Sequence, residues 1–561
     1  ITLNELETEV IAKEALIKEP EEVNQMIRCA AREVMMAART GTVTILTDYD
    51  ADGITSAYIM EKMVRSVNPD CTVFVHCNDR RGSYGLSPDA EYMRGANFGT
   101  KYIVCDMGSN QLDLAREKLG DDVIIFDHHL IEDNRIREEF IQVQYNAGLC
   151  NPHALHSDDK ENAQYCAAGL AYRAYREAEK MSEENHLPFH TTIKQDNAVA
   201  IMACIGTATD MVDVFDMHGY NRQILKDGLQ RIDNADENNL DFVVGYMLQM
   251  CGTSDGITSH QLAFNTGAFL NSASRMSEII GANGAQIMYN AITADENKAG
   301  TYFQLQKLMD YNQQRKQLVG QLTSETNYDQ FIYEQRFGKN ASDNIAVYQL
   351  PDDVPAAFAG LIAGKLTEAT DKAVICLTYS NKKGYYTGSG RNASSNETAL
   401  KTFVDNALKA ETEADNGFNI AYGGHEDAIG ISSLNDIVRF NELIQAAKGE
   451  MKSKGDNDKT ILAVSIGDIN EPETLTKLQK LEPTGIGFKL PDVQVQGTET
   501  YRNALFKAGN EKWKTIRVKD IDTKTQVDVA DWSYSSEKYP QTGKKNNEIS
   551  FLAEIGISDY K

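Results

Sequence analysis

Long apolar runs, paired cysteines and an excess of basic residues are all missing from this chain of 561 residues. No stretch of about 18 uncharged apolar residues occurs, so the sequence predicts no membrane-spanning helix. The nine cysteines form no CxxC pair, which argues against zinc fingers and disulfide scaffolds and is typical of a reducing compartment. The first residues lack a basic segment followed by an apolar one, and we expect no signal peptide.

The charge balance is strongly acidic. Aspartate and glutamate number 82 against 56 lysines and arginines, which gives a net charge of −26. Proteins that bind nucleic acid usually carry a basic face, so this balance argues against tight non-specific binding to DNA, although a local basic channel is compatible with it. Hydrophobic content of 42% and charged content of 25% are typical of globular proteins, and the length predicts two to four domains.

Acidic residues stand directly after predicted strands. Three apolar runs, over residues 43–46, 102–105 and 123–126, have the composition of buried strands. The residues that follow them are Thr47-Asp48-Tyr49-Asp50-Ala51-Asp52-Gly53, Asp106 and Asp127-His128-His129. A further carboxylate, Asp210, follows a predicted helix over residues 196–209. Carboxylates are the preferred ligands of Mg²⁺, and Mn²⁺ also accepts imidazole, so this pattern predicts a metal-dependent phosphoesterase.

Helix and strand patterns alternate around these residues. Periodicity predicts helices over 8–39, 54–67 and 111–119 and strands over 72–77, 102–106 and 123–127. Such alternation predicts an α/β domain whose parallel sheet has helices on both faces. Ligands of parallel sheets bind at the carboxyl ends of the strands, where the acidic residues fall.

The remainder of the chain divides into further parts. Residues 163–250 are predicted to be mostly helical, and a polar helix over about 296–326 is predicted to be a connector. A second α/β unit follows, with strands predicted over 345–350, 373–378 and 384–389 and helices over 356–368 and about 396–409. Residues 448–459 have the composition of a linker. Short alternating segments over 461–466, 515–518 and 525–529 predict a small C-terminal β-barrel.

Four segments, in this order, resemble the motifs of the DHH-family phosphoesterases. They are Asp48-Tyr49-Asp50-Ala51-Asp52-Gly53, Asp106-Met107-Gly108, Asp127-His128-His129 and Gly206-Thr207-Ala208-Thr209-Asp210. Over roughly residues 20–500 the chain most closely resembles the RecJ-type single-strand-specific 5′→3′ exonucleases. That closer resemblance is carried by Tyr84-Gly85-Leu86, Asn151-Pro152 and Asn271-Ser272-Ala273-Ser274-Arg275-Met276.

Two later segments extend the resemblance. Ser389-Gly390-Arg391 and Gly423-Gly424-His425-Glu426-Asp427-Ala428-Ile429-Gly430 resemble the DHH-associated domain. Glu482-Pro483-Thr484-Gly485-Ile486-Gly487 is similar to the segment that opens the OB-like domain of the family. The resemblance therefore reaches from the N-terminal helix to the last part of the chain.

The resemblance implies a site for two Mn²⁺ or Mg²⁺ ions. The implied ligands are Asp50, Asp52, Asp106, His128 and Asp210, with Asp106 bridging the ions. Asp48 is implied as a ligand or a close neighbour of one, because Leu46 stands where many members have a histidine. His129 is implied to contact the scissile phosphate, and Asp127 to orient a histidine.

The same resemblance implies residues that grip phosphate. They are Arg275, Ser389, Arg391, Gly423, Gly424 and His425. Guanidinium groups suit bidentate phosphate contacts, and glycine backbone can approach a nucleotide closely. Tyr84, on a glycine-flanked turn, is a candidate for stacking on a base. A C-terminal set either forms a strand-binding platform or decorates an ordinary hairpin, and consists of Lys507, Lys512, Trp513, Lys514, Arg517 and Lys519.

These inferences combine into a four-part organisation. We expect a DHH catalytic domain with an N-terminal helix, a parallel sheet and a helical insertion over residues 1–290. A connecting helix over 291–330 leads to a smaller α/β DHH-associated, substrate-binding domain over 331–455. An OB-like nucleic-acid-binding domain occupies 456–561.

The implied function is a single-stranded DNA exonuclease that releases mononucleotides 5′→3′ in DNA repair, recombination or replication. An oligonucleotide or cyclic-dinucleotide phosphodiesterase is an alternative, but such relatives consist of the two α/β units alone. A catalytically inactive replication scaffold is a second alternative, against which the intact acidic and histidine set argues. Single-stranded DNA is the implied ligand, with a single-strand-binding protein or a helicase as candidate protein partners and no membrane. We expect the protein in the cytoplasm of a bacterial or phage-infected cell.

Overall fold

The structure, a computed structural model, describes most of the chain. The described residues are 1–82, 84–87, 101–131, 133–143, 148–156, 161–210, 212–253, 256–294, 298–325, 328–412, 414, 417–454, 461–462, 472–485, 487–508, 511–519, 526–531 and 548–553. From residue 494 onwards the backbone alone is described. The chain forms two compact units. The first unit comprises residues 4–313 and 477–490, and the second unit comprises residues 1–3, 314–476 and 491–561.

The first unit is built on a five-stranded parallel sheet. Its strands are β1 (Thr42–Thr47), β2 (Thr72–Cys77), β3 (Lys101–Cys105), β4 (Ile124–Phe126) and β5 (Leu149–Cys150), in the order β2-β1-β3-β4-β5. Thr47 pairs with Cys77 on one side and Cys105 on the other, and Cys105 pairs with Phe126. The strands therefore end at one level, which places the residues after β1, β3 and β4 next to one another. The predicted parallel α/β sheet is confirmed.

The helices of the first unit precede, connect and follow these strands. They are α1 (Leu3–Glu14), α2 (Glu21–Arg39), α3 (Ala51–Val67), α4 (Leu112–Leu119), α5 (Asn134–Gln142), α6 (Ala167–Glu184), α7 (Ile193–Thr209), α8 (Asn221–Asp233), α9 (Phe242–Met250), α10 (Ser259–Leu262), α11 (Ala268–Arg275), α12 (Ser277–Ile280) and α13 (Gly284–Ile292). A π-helical turn, Ala263–Gly267, joins α10 to α11. Within the described residues, no helix is both long enough and apolar enough to cross a membrane.

The structure corrects one helix prediction. The single helix expected over residues 8–39 is wrong, because α1 ends at Glu14 and α2 begins at Glu21. Pro20 stands before α2 with φ −59° and ψ 150°, which is an extended conformation. Proline lacks a backbone N–H and its ring clashes with the preceding helical turn, so the apolar periodicity on its two sides does not join into one helix.

Helix α7 lies in the interior of the first unit and packs against α3, α6 and α8. A Cβ atom on Gly206 would lie 2.5 Å from both Ala168 Cβ and Thr55 Oγ1, and 3.1 Å from Asp52 Oδ1. At these distances only a residue without a side chain fits the crossing. Gly206 therefore lets the end of α7, with Asp210 directly after it, approach the first turn of α3.

Residues 477–490 belong to the first unit, and the buried side chain of Arg222 binds this segment to α8. Arg222 on α8 donates to Pro483 O at 2.5 Å and to Leu481 O at 3.0 Å. Its guanidinium also lies over the ring of Phe215, 4.4 Å from the ring centre. Backbone carbonyls outside helices and strands need donors when they are buried, and Arg222 supplies them to this segment.

The second unit contains a mixed five-stranded sheet. Its strands are β6 (Ile345–Gln349), β7 (Ala373–Ser380), β8 (Tyr385–Arg391), β9 (Ile420–His425) and β10 (Ala428–Leu434), in the order β6-β7-β8-β10-β9. β6 and β7 are parallel, and the other pairs are antiparallel. Its helices are α14 (Lys298–Glu325), which begins in the first unit, α15 (Tyr328–Phe337), α16 (Ala356–Thr370), α17 (Leu400–Thr412) and α18 (Ile437–Ala447). The predicted elements of this α/β unit are confirmed to within a few residues.

The last part of the chain forms a further sheet. After β11 (Ile461–Leu462) come α19 (Pro472–Lys480), β12 (Asp492–Ala508), β13 (Glu511–Lys519), β14 (Gln526–Asp531) and β15 (Glu548–Ala553). β12 pairs with β11, β13 and β15, and β13 pairs with β14. The pairings among the described residues do not close into a barrel, so the OB-like barrel stays a prediction. Residues 455–459 of the expected linker, and residues 463–466 and 525 of the expected strands, lie outside the described residues.

A buried ion pair joins the segment before α2 to α6. Arg173 donates through Nη2 to Glu19 Oε2 at 2.6 Å and through Nε to Oε1 at 3.3 Å. The hydroxyl of Tyr165 also donates to Glu19 Oε1. Glu19 is 3% exposed, so its charge is tolerated because both carboxylate oxygens are paired.

Replacing Arg173 by methionine is expected to destabilise the first unit by about 3–5 kcal/mol, because the carboxylate of Glu19 stays buried without its counter-ion. Urea unfolding followed by circular dichroism measures the change. Arg135→Met is the matched control, since Arg135 pairs with Asp133 on the surface, where ion pairs add little to stability. Equal loss of stability in the two variants would contradict the assigned role of Glu19 and Arg173.

Candidate metal centre

Three aspartates extend the ladder of the parallel sheet by one residue beyond the strands. Their backbone N–H groups donate to the last carbonyl of the neighbouring strand, at 3.3 Å for Asp48, 2.8 Å for Asp106 and 3.2 Å for Asp127. All three residues are buried. Asp106 has a φ of 61°, a left-handed conformation that aspartate tolerates better than most residues. The sheet edge thus brings together the three carboxylates that the sequence placed after its strands.

Asp50 and Asp52 belong to the start of α3. Asp50 caps this helix, because its Oδ1 accepts from the N–H of Asp52 at 3.0 Å and of Gly53 at 3.1 Å. A Cβ on Gly53 would lie 2.7 Å from Asp48 O, so the tight turn between β1 and α3 requires glycine here. Asn271 on α11 accepts from the N–H of Ala51 at 3.1 Å and ties the same turn to the helices that follow.

Asp52 lies at the N-terminus of α6. Its Oδ2 accepts from the N–H of Ala167 at 2.8 Å and its Oδ1 from that of Ala168 at 2.9 Å. These two N–H groups belong to the first turn of α6 and have no partner within the helix, so a carboxylate is favoured at this position. The helix start orients Asp52 before any ligand binds.

His128 lies at the centre of the acidic cluster. Its Nε2 is 3.2 Å from Asp106 Oδ1, 3.6 Å from Asp210 Oδ2 and 3.7 Å from Asp52 Oδ2. Asp210 is the first residue after α7. The imidazole and three carboxylates therefore converge from two strand ends, the start of one helix and the end of another.

Asp127 is a hydrogen-bond acceptor that orients its neighbours. Its Oδ1 accepts from the N–H of His128 at 2.7 Å and of His129 at 3.2 Å, and lies 2.7 Å from His129 Nδ1. Its Oδ2 accepts from the N–H of Ser109 at 2.9 Å. Although burial opposes ionisation, the charge of His129 and these hydrogen bonds hold the pKa of Asp127 well below its usual range. In the same way, Asp127 outweighs burial and raises the pKa of His129.

The other carboxylates of the cluster lie close to one another, and this proximity opposes their ionisation. Burial, reinforced by a neighbouring aspartate, raises the pKa of Asp48, Asp106 and Asp210 well above the usual range. Burial and then the charge of Asp50 raise the pKa of Asp52 to about 6. Such shifts reverse when a cation binds nearby, because the cation favours the charged form of each carboxylate.

The donor set fits a hard divalent cation. Three groups have ligand atoms within 4.8 Å of one another: Asp48, Asp50 and Asp106; Asp52, His128 and Asp210; Asp106, His128 and His129. Asp48 Oδ1 is buried and, among the described residues, has no hydrogen-bond partner. A buried carboxylate oxygen without a donor is costly unless a cation binds it. Oxygen ligands with one or two imidazoles suit Mn²⁺ and Mg²⁺.

Tyr84 and two arginines surround this cluster. The Tyr84 hydroxyl donates to Asp106 O at 3.1 Å, and the side chain is 48% exposed. Burial raises the pKa of Tyr49, and the charges of Arg80 and of Arg275, which ends α11, oppose that rise. Arg80 was not predicted from the sequence, and its guanidinium lies 4.6 Å from the ring centre of Tyr49. Its position shortly after β2, at the same sheet edge, was the signal that could have identified it.

The remaining predicted residues lie in the second unit. Arg391 donates through Nη1 to Ser389 Oγ at 2.8 Å and to Gly390 O at 2.7 Å. Gly430 on β10 pairs with Ser389 on one side and with Gly423 on the other, so these residues share one level of the sheet. Gly424 has a φ of 129°, and a Cβ there would lie 2.4 Å from Ala428 O.

Gly360 on α16 lies close to the predicted phosphate contacts and was not predicted from the sequence. A Cβ there would lie 3.0 Å from Arg391 Nη2 and 3.3 Å from Ser389 Oγ. A helix of ordinary apolar composition gave no signal for this close approach. The side chain of His425 lies outside the described residues, as do those of Lys507, Lys512, Trp513, Lys514, Arg517 and Lys519.

Comparison with known proteins agrees with this geometry. Residues 42–207 match the model of the DHH family, N-terminal domain. The single-stranded-DNA-specific exonuclease RecJ of Bacillus subtilis is 23% identical over 558 residues, which are 98% of this chain and 63% of that protein. The Escherichia coli RecJ is 23% identical over 535 residues, which are 92% of this chain and 85% of that protein. The chain thus spans less than two thirds of the Bacillus protein.

Solved structures with the same fold contain metal ions. RecJ from Thermus thermophilus in complex with Mn²⁺ matches with a TM-score of 0.65 and 19% identity, over 95% of this chain and 69% of that one. An exonuclease RecJ bound to manganese matches with a TM-score of 0.52 and 21% identity, over 78% of this chain and 95% of that one. The chain thus matches the model of the DHH family, N-terminal domain, over residues 42–207, and its fold is similar to that of the RecJ structures.

Proposed function

We propose that this protein is a metal-dependent nuclease that degrades single-stranded DNA from its 5′ end and releases mononucleotides. The observation that carries the proposal is the convergence of buried and partly buried carboxylates and imidazoles at the carboxyl edge of the sheet, in three groups whose ligand atoms lie within 4.8 Å of one another. The RecJ relatives, named as single-stranded-DNA-specific exonucleases, support the choice of substrate. Repair, recombination or replication of DNA would be its setting, in the cytoplasm of a bacterial or phage-infected cell, with a single-strand-binding protein or helicase as partner.

The proposed metal ligands are the residues of the sheet-edge cluster. They are Asp50, Asp52, Asp106, His128 and Asp210, with Asp48 as a further ligand or close neighbour, and they would hold two Mn²⁺ or Mg²⁺ ions. Asp106 is the proposed bridge, since it belongs both to the group with Asp48 and Asp50 and to the group with the histidines. When bound, such ions supply Lewis acidity to a phosphoryl oxygen and to the attacking water.

His129 and Asp127 are the proposed catalytic pair. His129 is about one-fifth exposed, so one side of its ring is open to a ligand. Asp127 favours the protonated imidazole, and a protonated ring can donate to a phosphate oxygen and stabilise charge that develops there. Asp127 itself stays ionised and holds the ring through Nδ1.

Phosphate recognition is assigned to Arg275 in the first unit and to Ser389, Arg391, Gly423, Gly424 and His425 in the second, with Tyr84 stacking on a base. Residues 331–455 would form the substrate-binding domain, and residues 456–561 an OB-like strand-binding domain. The hydrogen bonds of Arg391 to Ser389 and Gly390 fix the guanidinium before substrate arrives. A fixed guanidinium loses little entropy when it binds a phosphate.

A substrate panel tests the function. Mn²⁺-dependent release of mononucleotides from long 5′-phosphorylated single-stranded DNA is expected to exceed release from a short RNA or from a cyclic dinucleotide. Asp106→Ala is expected to lower the rate by at least about 10³-fold, because it removes the shared ligand. Cleavage of the short substrates alone would instead indicate an oligonucleotide phosphodiesterase, and equal inactivity of both proteins on every substrate would indicate a scaffold.

Gly206→Ala is expected to weaken Mn²⁺ binding about 10–100-fold, because the added methyl group displaces Asp52 from its place at α6. Electron paramagnetic resonance of free Mn²⁺ measures the affinity without reference to catalysis. Gly364→Ala is the matched control: Gly364 also lies inside a helix, but a Cβ there would meet no described atom within 4 Å. An unchanged affinity in Gly206→Ala would exclude this role for the helix crossing.

Arg391→Lys is expected to raise the KM for 5′-phosphorylated DNA about 10-fold with little change in kcat, because an ammonium group cannot reproduce the bidentate contact. Steady-state kinetics on one oligonucleotide substrate gives both constants. Arg439→Lys serves as the control, since Arg439 lies in the same unit and pairs with Glu411. Equal KM values for Arg391→Lys and the parent protein would remove Arg391 from the proposed phosphate site.

A further inference from the structure

Tyr84 lies on a turn and contacts the imidazole ring of His129, a member of the proposed catalytic pair. The Tyr84 hydroxyl lies 2.8 Å from His129 Nε2 and 3.1 Å from His129 Nδ1, and it donates to Asp106 O at 3.1 Å. The Nδ1 atom of the His129 ring is 2.7 Å from Asp127 Oδ1. Asp127 therefore binds the imidazole at Nδ1, and the phenol hydroxyl contacts the ring at similar distances from its two nitrogens.

Gln111 fixes the backbone of that turn. Its Oε1 accepts from the N–H of Leu86 at 2.7 Å, and its Nε2 donates to Leu86 O at 3.0 Å. Asn78 adds a hydrogen bond from Nδ2 to Gly85 O at 2.8 Å. An amide side chain that pairs with both polar groups of one residue fixes the position and the rotation of that residue.

Gly85 makes this arrangement possible. Its φ is 84°, and a Cβ there would lie 2.4 Å from Gln111 Oε1. The turn therefore needs glycine both for its left-handed backbone and for the close approach of Gln111. The result is a short rigid connection from Gln111, at the end of the 3-10 turn Ser109–Gln111, to the phenol of Tyr84.

Tyr84 can stack on a base through its ring and form a hydrogen bond through its hydroxyl, and these two roles use different parts of the side chain. A side chain that only stacks on a base needs no fixed partner for its hydroxyl, because the stacking contact uses the ring face. Here the hydroxyl donates to the backbone carbonyl of Asp106 while the residue is 48% exposed. Removing the hydroxyl leaves the stacking surface unchanged, so the two roles can be measured independently.

We propose that Tyr84 and Gln111 are positioning residues for His129. Gln111 fixes the turn, the turn fixes the Tyr84 hydroxyl, and the hydroxyl keeps the imidazole of His129 in the orientation that meets a phosphate oxygen. This inference rests on the proposed function, in which His129 contacts the scissile phosphate. It adds to that function a residue, Gln111, whose described contacts are with the turn and which acts through Tyr84.

Kinetics of single and double variants tests the connection. Tyr84→Phe and Gln111→Ala are each expected to lower kcat about 10-fold, close to the value of one hydrogen bond, with KM and Mn²⁺ affinity unchanged. The double variant is expected to be no slower than Tyr84→Phe, because Gln111 acts through the hydroxyl that is already missing. Multiplied losses in the double variant, or a raised KM with an unchanged kcat, would overturn the proposal.

Each variant has a matched control in the first unit. Tyr172→Phe removes a hydroxyl that donates to Asp227 at 2.6 Å, away from the metal centre. Gln286→Ala removes an amide that also pairs with backbone twice, accepting from Cys77 N at 2.9 Å and donating to Val75 O at 3.2 Å. Both are expected to keep the parent kcat. A loss in the controls equal to that in Tyr84→Phe and Gln111→Ala would attribute the effect to general destabilisation and reject positioning.

Nuclear magnetic resonance of the histidine rings tests the positioning of His129 even if no substrate is cleaved. The chain has ten histidines, so selective ¹⁵N labelling of histidine in the Mg²⁺-loaded protein gives few ring signals, and His129→Gln identifies one of them. Tyr84→Phe and Gln111→Ala are expected to shift or broaden the His129 signals while leaving those of His218 and His156 unchanged. Unaltered His129 signals would overturn the proposal, whereas an inactive parent protein with altered signals would overturn only the proposed function.

Discussion

The mutual repulsion of buried carboxylates is the constraint on which this structure depends. Asp48, Asp106 and Asp210 stand together in the interior, where burial and neighbouring charge raise the pKa of each one. Burying an unpaired charge is among the most costly events in folding. The first unit meets that cost with a rigid scaffold: strands that end at one level, a glycine at the helix crossing and a buried α7 hold the groups together despite their repulsion. A bound divalent cation would turn the same repulsion into attraction.

The two helix ends at the site make opposite electrostatic contributions. The start of α6 presents free N–H groups to Asp52, and the positive end of a helix favours a carboxylate. Asp210 follows the end of α7, where the negative end of the helix dipole disfavours one. The first arrangement orients a carboxylate without outside help, whereas the second stabilises its charge only when a cation is present. Asp52 is therefore oriented by the protein before a metal binds, whereas a bound cation would favour the ionised form of Asp210.

Asp48, Asp106, Asp127 and Asp210 could be predicted from sequence because each one directly follows a strand or helix, and a parallel sheet aligns the ends of its strands. The approach of α16 to Arg391 at Gly360, and of Gln111 to the turn at Leu86, could not be predicted in this way. Such contacts join residues about 25 or more positions apart, and they depend on how the elements pack, which periodicity does not encode. Pro20 is a different case. A proline in the sequence signals a helix break, but the prediction of helix over residues 8–39 relied on the apolar spacing on both sides of it.

A net charge of −26 is compatible with a polyanionic substrate if affinity comes from short contacts with pre-oriented side chains and not from long-range electrostatic attraction. Long-range attraction to a DNA backbone is strengthened by an excess of basic residues, whereas acidic residues are in excess in this chain. A guanidinium held by Ser389 and Gly390 before substrate arrives needs no such attraction, because its contact with a phosphate is short, directional and nearly free of entropy loss. The same acidity disfavours duplex DNA, whose stiff backbone carries a higher charge density than a flexible single strand. Acidic composition and the proposed preference for single strands would then have one physical cause.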